Sequence, residues 1–180
     1  MTYVAFLRAV NVGGKGIVSM AVIREALVDL GLKDVRTYIN SGNVIFSTRA
    51  QNTEKLGARI EKALELSAGV PIKVLVMDHL TLKKMVDAIP RGWVDDKTMR
   101  TYVLLLWREL DDRAILDRLQ VKPGIDELRY TPGAVVWRVD RENVARSSMN
   151  RMVGTPLYKK ITMRSANTMR KLNELTAGQA

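Results

Sequence analysis

The sequence predicts an α+β protein built from two halves, residues 1–80 and residues 81–180. Short apolar runs of strand length, longer runs with helical spacing, and the turn residues between them lead to this prediction. A chain of 180 residues is long enough for one large domain or two small ones. Its 47% hydrophobic and 27% charged residues are ordinary for a globular protein.

The first half is predicted to form a sheet of four strands with two helices. The predicted strands are 2–10, 35–40, 43–48 and 72–77, and the predicted helices are 19–31 and 53–67. Ser41 and Gly42 separate the second and third strands, which predicts a two-residue hairpin with a primed turn. The resulting order βαββαβ is typical of the ferredoxin-like fold.

The second half is predicted to be a further ferredoxin-like (βαββαβ-type) half with a basic helical C-terminal segment. Its predicted helices are 81–88 and 111–120, and its predicted strands are 100–107, 127–130 and 134–139. No sequence repeat links the halves, so this prediction depends on element order alone.

Composition excludes several classes of site. There is no cysteine, which excludes disulfides and thiolate ligands, and a single histidine, His79, is too few for a multi-histidine metal site. We therefore predict no metal and no cofactor. The apolar N-terminus is broken by Arg8 and is expected to be a strand. No apolar run reaches the ~20 residues of a membrane span, so we expect a soluble, cytoplasmic protein.

The formal net charge is +10, and most of it lies in one segment. We define the basic segment as Arg138–Lys171, which contains nine basic residues but only two acids, Asp140 and Glu142. Such a patch attracts anions such as nucleic acid, nucleotides or phosphorylated metabolites. The alternative interpretation is a surface that only favours solubility. The sequence does not indicate the oligomeric state.

A glycine-rich loop follows the first predicted strand. It contains Asn11, Gly13, Gly14 and Lys15, and it precedes a helix whose N-terminus favours anions. The loop matches neither a Walker A motif nor GxGxxG. Anion binding is one interpretation, and a tight turn that needs positive φ angles is the other.

The sheet face of the first half that points away from the helices is a second candidate. With Asn40 opposite Asn43 across the hairpin, a polar platform is predicted on this face from Arg8, Arg36, Tyr38, Asn40, Asn43 and Lys73. RNA-recognition motifs stack bases on the same sheet face. The alternative is that this face is buried.

Three acidic sites are better explained by capping than by catalysis. Asp78, next to His79, is predicted to cap a helix. The pairs Asp95-Asp96 and Asp111-Asp112 lie in predicted turns or helix starts. No GxSxG motif accompanies His79, and no catalytic signature identifies a reaction.

Two motifs resemble those of a bacterial family, the domain of unknown function 1697 family. The segments 7–15 (LRAVNVGGK) and 36–46 (RTYINSGNVIF) are similar to that family's LLRGINVGGK and RTYIQSGNVVF, in the same order. Ala9 and Asn40 replace the usual Gly and Gln. Residues 162–168 resemble its TxRNxxT element, with Ser165 where Asn is usual.

The resemblance implies two ferredoxin-like halves and brings no established activity. It suggests that the three motif regions should be considered together. The predicted ligand-binding residues are Arg8, Asn11, Gly13, Gly14, Lys15, Tyr38, Asn40, Ser41, Asn43, Arg164, Asn167 and Thr168. One functional hypothesis is a module that binds nucleic acid or nucleotide. The other is an enzyme acting on a phosphorylated or carboxylated small molecule in a cleft between the halves.

Overall fold

A computed structural model of the chain describes residues 1–8 and 18–178. The described residues form two four-stranded antiparallel sheets and six α-helices, an α+β arrangement. The chain divides into two units: unit 1 is Met1–Leu82 with Leu172–Ala180, and unit 2 is Lys83–Lys171. The longest described helix has 16 residues, and none combines the length and hydropathy that a membrane span requires.

The sheet of unit 1 has the strand order β2-β3-β1-β4. Its elements are β1 (Thr2–Leu7), α1 (Met20–Asp29), β2 (Lys33–Tyr38), β3 (Asn43–Ser47), α2 (Thr53–Ala68) and β4 (Val74–Asp78). Both helices begin at side-chain caps: Ser19 caps α1 where the helix was predicted to open, and the Asn52 side chain accepts a hydrogen bond of 2.8 Å from Lys55 N at the start of α2. The left-handed Gly69 (φ 70°) ends α2.

The core of unit 1 lies between the sheet and these two helices. Alternate residues of β1, among them Tyr3 and Leu7, pack there with Ile23 and Leu27 of α1 and with α2. The period of two in the strand and the helical spacing of the apolar residues both point to this face. Burial of these side chains is the main source of stability in unit 1.

The predicted two-residue hairpin is wrong. Tyr38 pairs with Asn43, so the connection is a four-residue loop over 39–42, with positive φ at Ile39 (50°) and Gly42 (74°). The Asn43 side chain closes the loop by donating to Tyr38 O at 3.1 Å. Asn43 therefore lies opposite Tyr38, and Asn40 belongs to the loop.

The outer sheet face of unit 1 is not a polar platform. At its centre lie Val4, Phe6, Ile45 and Met77, and all four are buried, with Phe6 0% exposed. A base cannot stack on a ring that has no accessible surface. The alternative expectation was that this face is buried, and the centre of the face confirms it.

Unit 2 repeats the strand order with different coverage. Its sheet runs β6-β7-β5-β8. The elements after β4 are α3 (His79–Asp87), β5 (Met99–Leu106), α4 (Ile115–Arg118), β6 (Asp126–Thr131), β7 (Ala134–Asp140), α5 (Met149–Met152), β8 (Ile161–Ser165) and α6 (Ala166–Ala177). Short 3₁₀ helices cover Arg108–Leu110, Arg141–Arg146 and Tyr158–Lys160. One sheet face packs Trp137, Leu104 and Ile161 against α4 and α5.

Two predicted elements of unit 2 differ from the structure. The helix expected over 111–120 is reduced to the four residues of α4, because the Asp111 side chain binds Tyr130 and Gly133 of the neighbouring hairpin. The segment after β7, expected to be helical, also contains β8. This strand was not predicted because its apolar residues are few and basic residues surround them in the sequence.

Candidate functional site

In unit 1, several predicted site residues lie at one end of the sheet. Leu7 N donates to Gly42 O, and Arg8 N donates to Lys73 O, each at 2.8 Å, so the end of β1 lies beside the hairpin loop. The buried Asn43 side chain donates to Ser41 Oγ at 3.1 Å as well as to Tyr38 O. These contacts bring Arg8, Tyr38, Ser41 and Asn43 together, with the exposed Asn40 in the same loop.

The glycine-rich loop lies outside the described residues. Asn11, Gly13, Gly14 and Lys15 all belong to it. Anion binding by this loop therefore stays a prediction, although the strand that leads into it ends at the hairpin.

In unit 2, Arg164 is the most buried of the predicted binding residues there. It lies on β8 with 7% of its surface exposed and donates to Thr162 Oγ1 at 3.1 Å and Met163 O at 2.8 Å. Burial lowers the pKa of the Arg164 guanidinium to about 10, so it remains charged at neutral pH. Arg164 therefore places a buried positive charge in the sheet.

The last motif forms the start of α6. Thr168 N donates to Ser165 Oγ at 3.2 Å, which makes Ser165 the helix cap, and the hydroxyls of Ser165 and Thr168 lie 3.0 Å apart. Asn167 Nδ2 donates to Asp95 O at 2.7 Å. Asn and Ser both cap helices well, so Ser165 keeps the capping capacity of the Asn usual in the resembling motif.

Asp78, Asp96 and Asp112 accept local backbone hydrogen bonds, as predicted for caps, whereas Asp111 bonds instead to Tyr130 and Gly133 of a neighbouring hairpin. Asp78 Oδ1 accepts from Thr81 N at 2.7 Å in the first turn of α3, and His79 Nδ1 lies 2.8 Å from Thr176 Oγ1. Hydrogen bonds from Thr98 and Met99 lower the pKa of Asp96. Among residues 1–8 and 18–178, no three His, Asp or Glu side chains are grouped so as to bind a metal ion.

The basic segment contains two kinds of side chain. Arg138 pairs with Glu127 and Asp140, Arg141 pairs with Asp95, and Arg170 donates to Trp93 O. These arginines therefore have their partners within unit 2. Exposed members with no side-chain bond to a described residue are Arg151, Lys159 and Lys160. The segment is therefore less available to a ligand than its composition suggests.

A buried carboxylate that the sequence did not reveal organises this part of unit 2. Asp126 Oδ1 accepts from Trp137 Nε1 at 3.0 Å and Ser147 Oγ at 2.5 Å, and Oδ2 accepts from Ser148 N at 3.0 Å and Lys122 N at 3.1 Å. Burial by itself raises the pKa of Asp126, but the four hydrogen bonds outweigh it and hold the pKa below the usual value. The available signal was an acidic residue directly before the strand predicted over 127–130.

Together these observations define an α+β protein with two sheets of equivalent strand order and a basic second unit. Residues 1–137 match the family described as protein of unknown function (DUF1697). The chain belongs to that family, as the two N-terminal motifs suggested.

One solved structure extends the likeness to the whole chain. The conserved bacterial protein SP0830 from Streptococcus pneumoniae is 25% identical, with a TM-score of 0.82 over 97% of this chain and 98% of that one. No curated protein matches the sequence. The comparisons therefore establish a family and a fold, and they bring no activity.

Proposed function

We propose that the chain binds an anionic partner, a nucleic acid or nucleotide, through the basic surface of unit 2. The observation that carries this proposal is the pair Lys159 and Lys160, both exposed on one 3₁₀ helix. They lie in a stretch, residues 143–173, that contains no Asp or Glu. Their charge is therefore not neutralised locally, and a phosphate backbone is the natural partner for it.

The fold supports a surface of this kind. We infer that each unit is a ferredoxin-like half, since β2-β3-β1-β4 and β6-β7-β5-β8 correspond strand for strand. In unit 2 the connection between β7 and β8 has only short helices, and the charged side chains of Arg151, Lys159 and Lys160 in it are exposed. From the sequence, we also propose that Lys15 and the glycine-rich loop form a second contact with the anionic partner.

Binding of a short fluorescent single-stranded RNA, followed by anisotropy across a salt series, tests the proposal. The wild-type affinity is expected to fall steeply between about 50 and 200 mM salt. Lys159→Glu/Lys160→Glu is expected to weaken binding by about tenfold or more near 100 mM salt, because two phosphate contacts are lost. The matched control is Lys55→Glu/Lys62→Glu on the exposed face of α2, which removes the same total charge.

The control separates a local contact from a general charge effect. If both double variants weaken binding equally, the surface of unit 2 is not the site. If the wild type does not bind, or binds without salt dependence, the proposal is wrong.

A further inference from the structure

Unit 2 contains a cavity of about 340 Å³ that no sequence motif predicted. It lies between the C-terminal end of α4 and the segment 148–157, which includes α5. Its volume is at the lower end of the range of small-molecule sites, about 300–1,000 Å³. The cavity is therefore large enough for a small organic ligand.

Two arginines give this cavity a positive rim. Arg118 ends α4 and Arg151 lies on α5, and both are exposed. Neither forms a side-chain bond with a described residue. A guanidinium offers a planar fork of donors that matches phosphate or carboxylate oxygens.

A buried hydroxyl lines the same cavity. Ser148 is 3% exposed, and its Oγ has no hydrogen-bond partner among the described residues. Buried polar groups nearly always have a partner, so an atom of a ligand or a water is expected to satisfy this hydroxyl. Because this oxygen has almost no accessible surface, the Ser148 side chain would rotate about χ1 to donate a hydrogen bond to an oxygen of a bound anion.

The turn that carries Ser148 is held in place from the other side. Asp126 accepts from Ser147 Oγ and from Ser148 N, so the backbone of Ser148 cannot reorient without breaking that contact. The charge of Asp126 is already met by four donors, and the exposed Asp117 precedes Arg118 on α4. The two arginines therefore outnumber the unsatisfied acidic charge near the cavity.

The rest of the wall is mixed: Gln120 and Thr155 are polar, and the apolar side chains beside them would contact the body of the ligand. Leu119, Met152 and Leu157 line the cavity beside the polar groups. We propose that this cavity binds a small organic phosphate, with the phosphate between Arg118 and Arg151, one oxygen bonded to Ser148 Oγ, and an apolar body on the leucines. This site does not depend on nucleic-acid binding by Lys159 and Lys160.

Phenyl phosphate is the probe, and isothermal titration calorimetry measures its affinity for the full chain. The wild type is expected to bind with a dissociation constant in the millimolar range or tighter. Arg118→Ala/Arg151→Ala is expected to weaken binding by about tenfold or more, because charge-assisted hydrogen bonds are lost. Arg24→Ala/Arg59→Ala, which removes two exposed arginines of unit 1, is the matched control and is expected to bind like the wild type.

Ser148→Ala tests the buried hydroxyl and is expected to weaken binding several-fold with unchanged tryptophan emission. Absence of binding by the wild type, or equal affinity in the cavity variants and the control, overturns the proposal. Benzoate that binds as tightly as phenyl phosphate overturns the assignment to phosphates. Lys159→Glu/Lys160→Glu is expected to retain phenyl phosphate binding, so failure of the nucleic-acid proposal is seen separately.

Discussion

Units 1 and 2 have sheets of equivalent strand order, but they cover those sheets differently. In unit 1, helices of 10 and 16 residues pack apolar side chains on one face. In unit 2, the corresponding connections contain α4 and α5 of four residues each. There the Asp126 carboxylate joins the strands to the connecting segments through four hydrogen bonds.

The difference shows that one sheet topology tolerates two means of stabilisation. Apolar burial is non-directional and tolerates small shifts, whereas a buried carboxylate needs every donor in place. A stretch held by hydrogen bonds is also free to carry charge on its outer side, as the basic segment does. Three experiments on stability test this comparison.

Asp126→Ala is expected to have the largest effect. It leaves the buried donors of Trp137 and Ser148 without an acceptor, and a loss of about 4 kcal/mol in the free energy of unfolding is expected. Urea unfolding followed by tryptophan fluorescence measures it. All three tryptophans, Trp93, Trp107 and Trp137, belong to unit 2, so the signal reports on that unit.

Asp87→Ala is the control for this variant, because Asp87 forms an exposed pair with Lys83. Its expected cost is about 0.5 kcal/mol or less. A loss at Asp126 no larger than at Asp87 would show that the polar network contributes nothing to unit 2.

Ile60→Ala in α2 is expected to cost about 3 kcal/mol, because Ile60 is fully buried in the core of unit 1. Far-UV circular dichroism, to which α1 and α2 contribute strongly, measures the transition. Leu66→Ala on the same helix is the control, since Leu66 is 79% exposed. The comparison predicts that Ile60→Ala shifts the dichroism transition more than the tryptophan transition, and equal shifts would contradict it.

Acid is expected to lower the stability of unit 2 by less than these substitutions do, and only at low pH. The folded pKa of Asp126 is below its ordinary value of 3.8, so its contribution is present above that value and is lost as the pH falls through the folded pKa. Urea midpoints from tryptophan fluorescence at about pH 6 and pH 3 measure this loss. Asp126→Asn should show a smaller decrease than the wild type, and an identical decrease in both would assign the acid sensitivity to other carboxylates.

The elements of unit 1 were more predictable than those of unit 2, for a physical reason. The helix predicted over 53–67 is α2. It was predictable because the segment with helical apolar spacing is long and both of its ends carry caps. The helix predicted over 111–120 failed because Asp111 bonds to Tyr130 and Gly133, 19 and 22 residues away in sequence. Local periodicity carries no information about such long-range contacts.

The candidate sites show the same limit. The capping role of Asp78 follows from its position before α3 and was predictable. The position of Arg118 and Ser148 in the wall of one cavity was not predictable, because the two residues are 30 positions apart in the sequence and share no motif. The hairpin register also depended on one side-chain contact, from Asn43 to Tyr38 O, which residue types alone do not reveal.

The assignment of the residues from Leu172 onward to unit 1 has a consequence for synthesis on the ribosome. Arg36 Nη2 donates to Leu175 O at 3.3 Å, and His79 Nδ1 lies 2.8 Å from Thr176 Oγ1, so two residues of the first half have partners that are translated 139 and 97 residues later. A nascent chain that stops within unit 2 is therefore expected to leave unit 1 incomplete and open to proteases and chaperones. Only a chain translated through Thr176 can close it, which links the quality control of the first half to completion of the second.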